Sequence, residues 1–208
     1  MTHFPARTIT DTKIEDRTSL LNALTILHET YCVPNVVISS IPVVKWVRDL
    51  TPPHISSAVC DQEQSLLCLA SVRGIAASSS HHHHRSTVYA ACVPLIPGYF
   101  SGVGDLFSAL VLGHYSPSSP APLPPLPYAV SLALTKTHAI LRLTESHVSS
   151  LPAEDRTATD DELDAADPER RTRRMRAREL RLVQGRRILS GEAMGELRSL
   201  REWDDFWA

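Results

Sequence analysis

The segment SGVGD at residues 101–105 runs directly into LFSALVLGHY, and this junction constrains the chain more than any other part of it. Two glycines one residue apart permit backbone torsions closed to other residues and let a ligand come close to the main chain. The apolar run that follows reads as a helix. The turn therefore presents free N–H groups and the positive end of a helix dipole, a combination that favours an anion. Asp105 falls in the first helical turn, where its carboxylate can face the same mouth. An acid beside an anion site suits phosphoryl transfer: the carboxylate takes a proton from an attacking hydroxyl while the amides stabilise charge on the transferred group. The same residues also make ordinary capped turns, and on this short segment alone that reading stays open. Because LFSALVLGHY is apolar on nearly all sides, the helix is expected to be buried.

The surrounding pattern predicts an α/β protein. Residues 16–30 place Leu20, Leu21, Leu24 and Leu27 at helical spacing, with Asp16 or Thr18 available as the cap. Three segments read as strands: VVISSIPV (36–43), LLCLASV (66–72) and STVYAACVPLIPGYF (86–100), the last broken by Pro94 and Pro97. Helical periodicity returns over 128–147. Alternation of strands and helices points to a mostly parallel sheet flanked by helices. Residues 1–150 are expected to form this body, with mobile loops at 74–86 and at the Pro-rich 116–127, which reads as neither helix nor strand. Residues 151–172 are acidic then basic, and are expected to be a disordered or weakly helical linker. Residues 173–208 close the chain as a helical segment, first a charged helix over 173–189 and then a short amphipathic end with Trp203, Phe206 and Trp207 to bury.

Composition excludes little. A formal charge of −2 over 208 residues gives no overall pull toward nucleic acid or anionic lipid, and no apolar run is long enough to span a bilayer. MTHFPARTITDTK has no apolar core of a secretory signal. Cys32, Cys60, Cys68 and Cys92 form no CxxC pair and read as reduced, mostly buried thiols of a cytoplasmic, and also nuclear, protein. His81–His84 has metal-binding chemistry, but a low-complexity surface loop accounts for it more simply. Arg170, Arg171, Arg173, Arg174, Arg176 and Arg178 form a basic run whose acidic neighbours can neutralise it, so nucleic acid is not expected as a partner. His114 and His138, on apolar helices, read as satisfied core or boundary histidines.

FSGVGDLFSALVLGHY resembles the signature of ribokinase-like small-molecule kinases, in which GTGD or GAGD precedes an apolar helix. VPNVVISSIP upstream and RELRLVQ downstream narrow the resemblance to pyridoxal kinases, and to their carboxy-terminal half only. The resemblance implies part of a three-layer ribokinase-like fold. It also implies transfer of a phosphoryl group from ATP, with Mg2+, to the 5′-hydroxyl of pyridoxal, pyridoxine or pyridoxamine. It makes Asp105 the catalytic base and Gly102, Val103 and Gly104 the anion hole. Ser39 and Ser40 become nucleotide-phosphate contacts, with K+ or Na+ near Ser39, and Ile96 and Phe100 become part of the adenine wall. Val103 replaces the usual Thr and loses a hydroxyl. Two alternatives stand beside this: a non-catalytic nucleotide-binding or interaction fragment of the same ancestry, and a kinase of the hydroxymethylpyrimidine type.

The amino terminus departs from that family. Thr2 stands where an Asn contacts nucleotide, and Pro5 and Arg7 stand where glutamates would serve metal. The half that carries the pyridoxal pocket and the homodimer edge is not matched. The chain is therefore expected to be a truncated form with impaired activity, and to leave a sheet edge and apolar surface uncovered.

Overall fold

A computed structural model of the chain describes residues 12–56, 64–74, 86–118, 121–156 and 161–208, without the side chains of Glu154 and of residues 161–163. The histidine run at 81–84, and Thr2, Pro5 and Arg7, lie outside the described residues. The chain divides into two compact units: residues 1–95, 116–130 and 199–208, and residues 96–115 and 131–198.

The first unit begins with α1 (Arg17–Thr25). Asp16 caps it through a reciprocal pair of bonds: its carboxylate accepts from Ser19 N–H at 2.7 Å, and Ser19 Oγ accepts from Asp16 N–H at 3.0 Å. The helix widens into a single π-helical turn, Ile26–Thr30. Strand β1 (Asn35–Pro42) follows, then a short helix α2 (Lys45–Leu50), strand β2 (Ser65–Val72) and strand β3 (Thr87–Pro94). The second unit holds α3 (Val103–His114) and most of the long α4 (Pro125–Ser149). Short helices α5 (Ala153–Arg156), α6 (Asp161–Ala166), α7 (Pro168–Ala177) and α8 (Arg186–Leu189) complete it. The chain then returns to the first unit as β4 (Arg201–Glu202).

The α/β composition is as expected, but the sheet is antiparallel rather than mostly parallel. Its order is β1-β2-β3-β4, and every pairing between these strands is antiparallel. The expectation failed because β2 and β3 are buried along nearly their whole length, the appearance that parallel strands also have. The connections decide otherwise. A parallel pair needs a crossover, usually a full helix, whereas β1 and β2 are joined by a segment whose described helix has six residues. In β1, Ile38 faces Leu69 and Ile41 faces Leu67, so one extra residue is accommodated as a β-bulge at Ser39–Ser40.

The core of the first unit joins one face of α1 (Leu20, Leu24) to alternate residues of the strands, among them Leu67, Leu69 and Val88. Full burial of each such leucine contributes about 1.5–3 kcal/mol. The carboxy-terminal aromatics dock on this core, as their position at the chain end suggested. Phe206 is buried and lies edge-on to Trp203 and Trp207, and Trp207 Nε1 donates to the Ser86 carbonyl at 2.7 Å.

In the second unit, α4 holds the following segments by bonds from its own side chains. Thr144 Oγ1 donates to the Ile140 carbonyl and accepts from Arg181 N–H at 3.2 Å. Thr135 Oγ1 does the same between the Ser131 carbonyl and Arg198 N–H at 2.9 Å. Lys136 Nζ donates to the Leu189 carbonyl at 2.6 Å.

Four further expectations are corrected. The helix over 128–147 starts earlier, at Pro125, because proline is tolerated in a first turn where no N–H is needed. The single charged helix over 173–189 is broken: α7 ends at Ala177, and only the four residues of α8 follow Gly185. The apolar helix α3 is not buried. Phe107 alone among its residues is buried, and Leu112 is 77% exposed. Lastly, the cysteines are not all reduced: Cys92 is disulfide-bonded, while Cys68 is a buried free thiol and Cys32 an exposed one.

Candidate active site

The glycine turn takes the geometry its sequence asks for. Gly102 is the residue before α3 and has φ 81°, ψ 10°, a left-handed conformation that side chains strain against. Among the described residues no side chain caps α3, so its first amides keep their donors for another acceptor. A Cβ at Gly102 or at Gly104 would meet nothing within 4 Å, so the space in front of both is open. The turn is anchored from behind. Ser101 N–H donates to the Arg178 carbonyl at 3.3 Å, and Ser101 and Glu179 form an isolated parallel bridge. This explains why the helix α7 gives way at residue 178: the chain there serves the turn as a strand-like support.

Asp105 sits in the first turn of α3 and is exposed. Its carboxylate makes no hydrogen bond or ion pair among the described residues. A free carboxylate beside uncapped helix amides is the arrangement expected of a base next to an anion site. Val103 is half-buried.

The other residues singled out from the sequence are distributed as follows. Ile96 is buried and Phe100 half-buried, in the same unit as the turn. Between them Gly98 has φ 121°, and a Cβ there would lie 3.5 Å from the Phe100 ring. Ser39 and Ser40 belong to the first unit. Both are exposed on the bulge of β1, with their hydroxyls 3.3 Å apart. Among the described residues, no three His, Cys, Asp or Glu side chains converge to hold a metal ion. No helix among them is long and apolar enough to cross a membrane.

Three of the six arginines in the Arg run pair with acids. Arg170 and Arg174, both buried, share the two carboxylate oxygens of Asp164 at 2.5 and 3.0 Å, and Arg173 pairs with Asp155 and Asp167. His138 is half-buried. Its Nδ1 accepts from Arg198 Nη2 at 3.3 Å, and its Nε2 is buried without a partner among the described residues. Burial, with Arg198 and Arg142 nearby, pushes its pKa down to about 4.

Sequence reasoning missed one buried polar cluster, in the first unit. His28 Nδ1–H donates to the Val33 carbonyl at 2.7 Å, its Nε2 shares a hydrogen bond with Ser71 Oγ at 2.7 Å, and Ser71 and Ser86 hydroxyls lie 2.6 Å apart. Burial lowers the His28 pKa, with the Arg73 charge adding to it against the Val33 bond. The cluster is enclosed and its groups satisfy one another, so it pins the π-helical turn to β2. The only signal in the sequence was a histidine on the apolar side of a helical pattern. A groove of about 420 Å³ between residues 86–88 and 202–208 is lined by none of the residues that the sequence assigned to the site.

The fold and the turn together define a class by geometry: an α/β chain with a glycine turn that sets open helix amides beside an exposed carboxylate. The comparisons make this particular. The chain is similar to pyridoxal kinases, which are phosphotransferases. It is 27% identical, over 159 residues, to a protein of Schizosaccharomyces pombe whose name gives it as a candidate pyridoxal kinase, covering 73% of this chain and 43% of that protein. Among solved structures, the pyridoxal kinase of Leishmania donovani in complex with ADP and pyridoxamine superposes with a TM-score of 0.60 and 19% identity, over 95% of this chain and 48% of that one. The pyridoxal kinase of Trypanosoma brucei gives 0.52 and 18%, over 95% and 48%. The chain thus spans less than half the length of the kinases it matches. No family model matches the sequence.

Proposed function

We propose that this chain carries the nucleotide-binding and proton-abstracting part of a vitamin B6 kinase, transferring the γ-phosphoryl group of ATP to the 5′-hydroxyl of pyridoxal, pyridoxine or pyridoxamine in the cytoplasm. The observation that carries this reading is the pairing of an exposed, unpartnered Asp105 carboxylate with the uncapped amides of α3 behind a left-handed Gly102. Asp105 accepts the proton of the 5′-hydroxyl as its oxygen attacks phosphorus. The N–H groups of Val103 and Gly104 donate to the phosphoryl oxygens as charge builds on them. Ile96 and Phe100 provide apolar surface of the kind an adenine ring stacks on, and Ser39 and Ser40 are assigned to nucleotide phosphate, with K+ or Na+ beside Ser39, by the family resemblance. Magnesium is assigned to the nucleotide's own phosphates by the family resemblance.

ATP-dependent formation of pyridoxal 5′-phosphate is the direct test. Asp105→Asn is expected to lower kcat by about 10²–10⁴ and to leave ADP affinity within about twofold. Turnover that survives this change would remove Asp105 from the mechanism. A second reading is a non-catalytic nucleotide-binding or interaction fragment of the same ancestry, which would bind ADP and turn nothing over. A panel of B6 vitamers against hydroxymethylpyrimidine separates the substrate classes.

A further inference from the structure

The turn after α8 sets an exposed serine hydroxyl among cations, apart from the glycine turn. Ser190 is exposed, and Gly191 behind it has φ 93°, which bends the chain sharply. The Ser190 hydroxyl lies 3.1 Å from the Arg187 carbonyl and 2.9 Å from Glu192 Oε1, with one proton to give between them. The other oxygen of the Glu192 carboxylate accepts from Arg187 Nε at 3.3 Å. An anion therefore already stands between this hydroxyl and a guanidinium. The two charged side chains are 69% and 61% exposed, so their pairing adds little stability and gives way readily. On the inner side of the turn, Lys136 Nζ donates to the Leu189 carbonyl at 2.6 Å and lies 4.0 Å from where a Cβ on Gly191 would be. Ser190 is the residue between those two. Lys136 is buried, and its ammonium has three donors, of which one is used among the described residues. Its charge also reaches His114 in the last turn of α3, whose pKa is lowered first by burial and then by Lys136.

We propose that Ser190 is a phosphorylation site for a separate serine kinase that selects arginine three residues before its target, and that the phosphate displaces Glu192 and pairs with Arg187 and Lys136. In Arg186-Arg187-Ile188-Leu189-Ser190, Arg187 holds the selected position and Arg186 adds a second charge beside it. Helix α8 has four residues, so it opens at little cost into the extended form that a kinase cleft holds. Ser190 Oγ attacks the γ-phosphorus of ATP. Its bond to phosphorus forms as the bond from phosphorus to the bridging oxygen breaks, ADP leaves, and the hydroxyl proton passes to the kinase's base. The product carries a charge of about −1.5 to −2 and three acceptor oxygens. Beside it the Glu192 carboxylate becomes a like charge and is expelled. The phosphate takes Arg187 from Glu192 and the spare donors of Lys136, and so ties the turn to α4 through a charged bond. The inference uses no residue of the glycine turn and does not depend on the vitamin B6 kinase reading.

The test incubates the full chain with ATP and calcium/calmodulin-dependent protein kinase II, which reads arginine at that position, and locates the phosphate by peptide fragmentation. Label on Ser190 is expected. It should vanish in Ser190→Ala and form about tenfold more slowly in Arg187→Ala, a change at an exposed side chain. Phosphorus NMR then reads the pairing. The second pKa of the phosphate, about 6 when free, should lie about half a unit lower in the folded chain than in a phosphorylated peptide of residues 184–194. Lys136→Met should return it at least part of the way, and Lys136→Arg should keep it low. The same phosphorylated chain unfolded in urea gives a reference that needs no variant. Absence of label on Ser190 overturns the site. A titration equal to that of the peptide and of the unfolded chain, or one that a folded Lys136→Met leaves unmoved, overturns the pairing.

Discussion

Ser101 N–H donates to the Arg178 carbonyl at 3.3 Å, and through this bond the entrance of the glycine turn rests on a segment 77 residues further along the chain. Two stretches that look unrelated in sequence, SGVGD and RELRLVQ, are one piece of structure. The turn is therefore only as well placed as its support, and the support is held in turn by Thr144 on α4, which accepts from Arg181 N–H.

The two glycines of the turn should respond differently to alanine. Gly102 has φ 81°, so Gly102→Ala forces a left-handed alanine at a cost of about 1–2 kcal/mol, although no atom lies in its way. Gly104 is helical and also faces open space, so Gly104→Ala gains helix propensity, up to about 1 kcal/mol. Thermal denaturation of the two variants should move Tm in opposite directions.

Gly185 is required by packing. A Cβ there would lie 2.2 Å from Ile140 Cδ1 and 3.0 Å from the Arg181 carbonyl oxygen. Ile140 is fully buried, so its end cannot swing away. Gly185→Ala should cost about 1–3 kcal/mol. Ile140→Val removes the clashing methyl, and a double-mutant cycle by denaturant unfolding should return part of the loss.

Thr144→Val keeps the shape of the side chain but leaves Arg181 N–H without its acceptor. Loss of a partly buried donor's partner should cost about 1–3 kcal/mol. Because Arg181 follows the segment that supports the turn, nucleotide affinity should weaken along with stability. Calorimetry with ADP checks the first and urea titration the second.

Acid should destabilise the second unit through His138. Its folded pKa is lowered to about 4 from 6.5, so the unfolded chain binds the proton more readily over that interval. The contribution is fully present above pH 6.5 and is lost progressively as pH falls from 6.5 toward 4. His138→Gln should flatten the stability profile across this window, as followed by denaturant midpoints at a series of pH values. A profile unchanged in slope would mean that the imidazole is not held neutral by its surroundings.

Much of the architecture and the turn was legible in the residues themselves. The three main strands, α1 with its Asp16 cap, and the turn-to-helix junction at 101–105 follow from local chemistry: β-branched runs, helical spacing, and glycines where torsions demand them. Strand direction was not legible, because burial on both faces looks alike in parallel and antiparallel sheets. Neither was the exposure of α3. An apolar helix calls for a cover, but the sequence does not say whether the same residues supply one.

The Ser101–Arg178 contact, the Gly185 fit against Ile140 and the closed His28–Ser71–Ser86 cluster belong to the tertiary structure alone. Each joins residues distant in the chain, and no local propensity encodes which distant partner a backbone amide, a methyl group or an imidazole will meet. The chain's own order of residues determined that a glycine turn should offer amides and an acid to an anion. Packing decided what holds that turn in place, and left its outer face open.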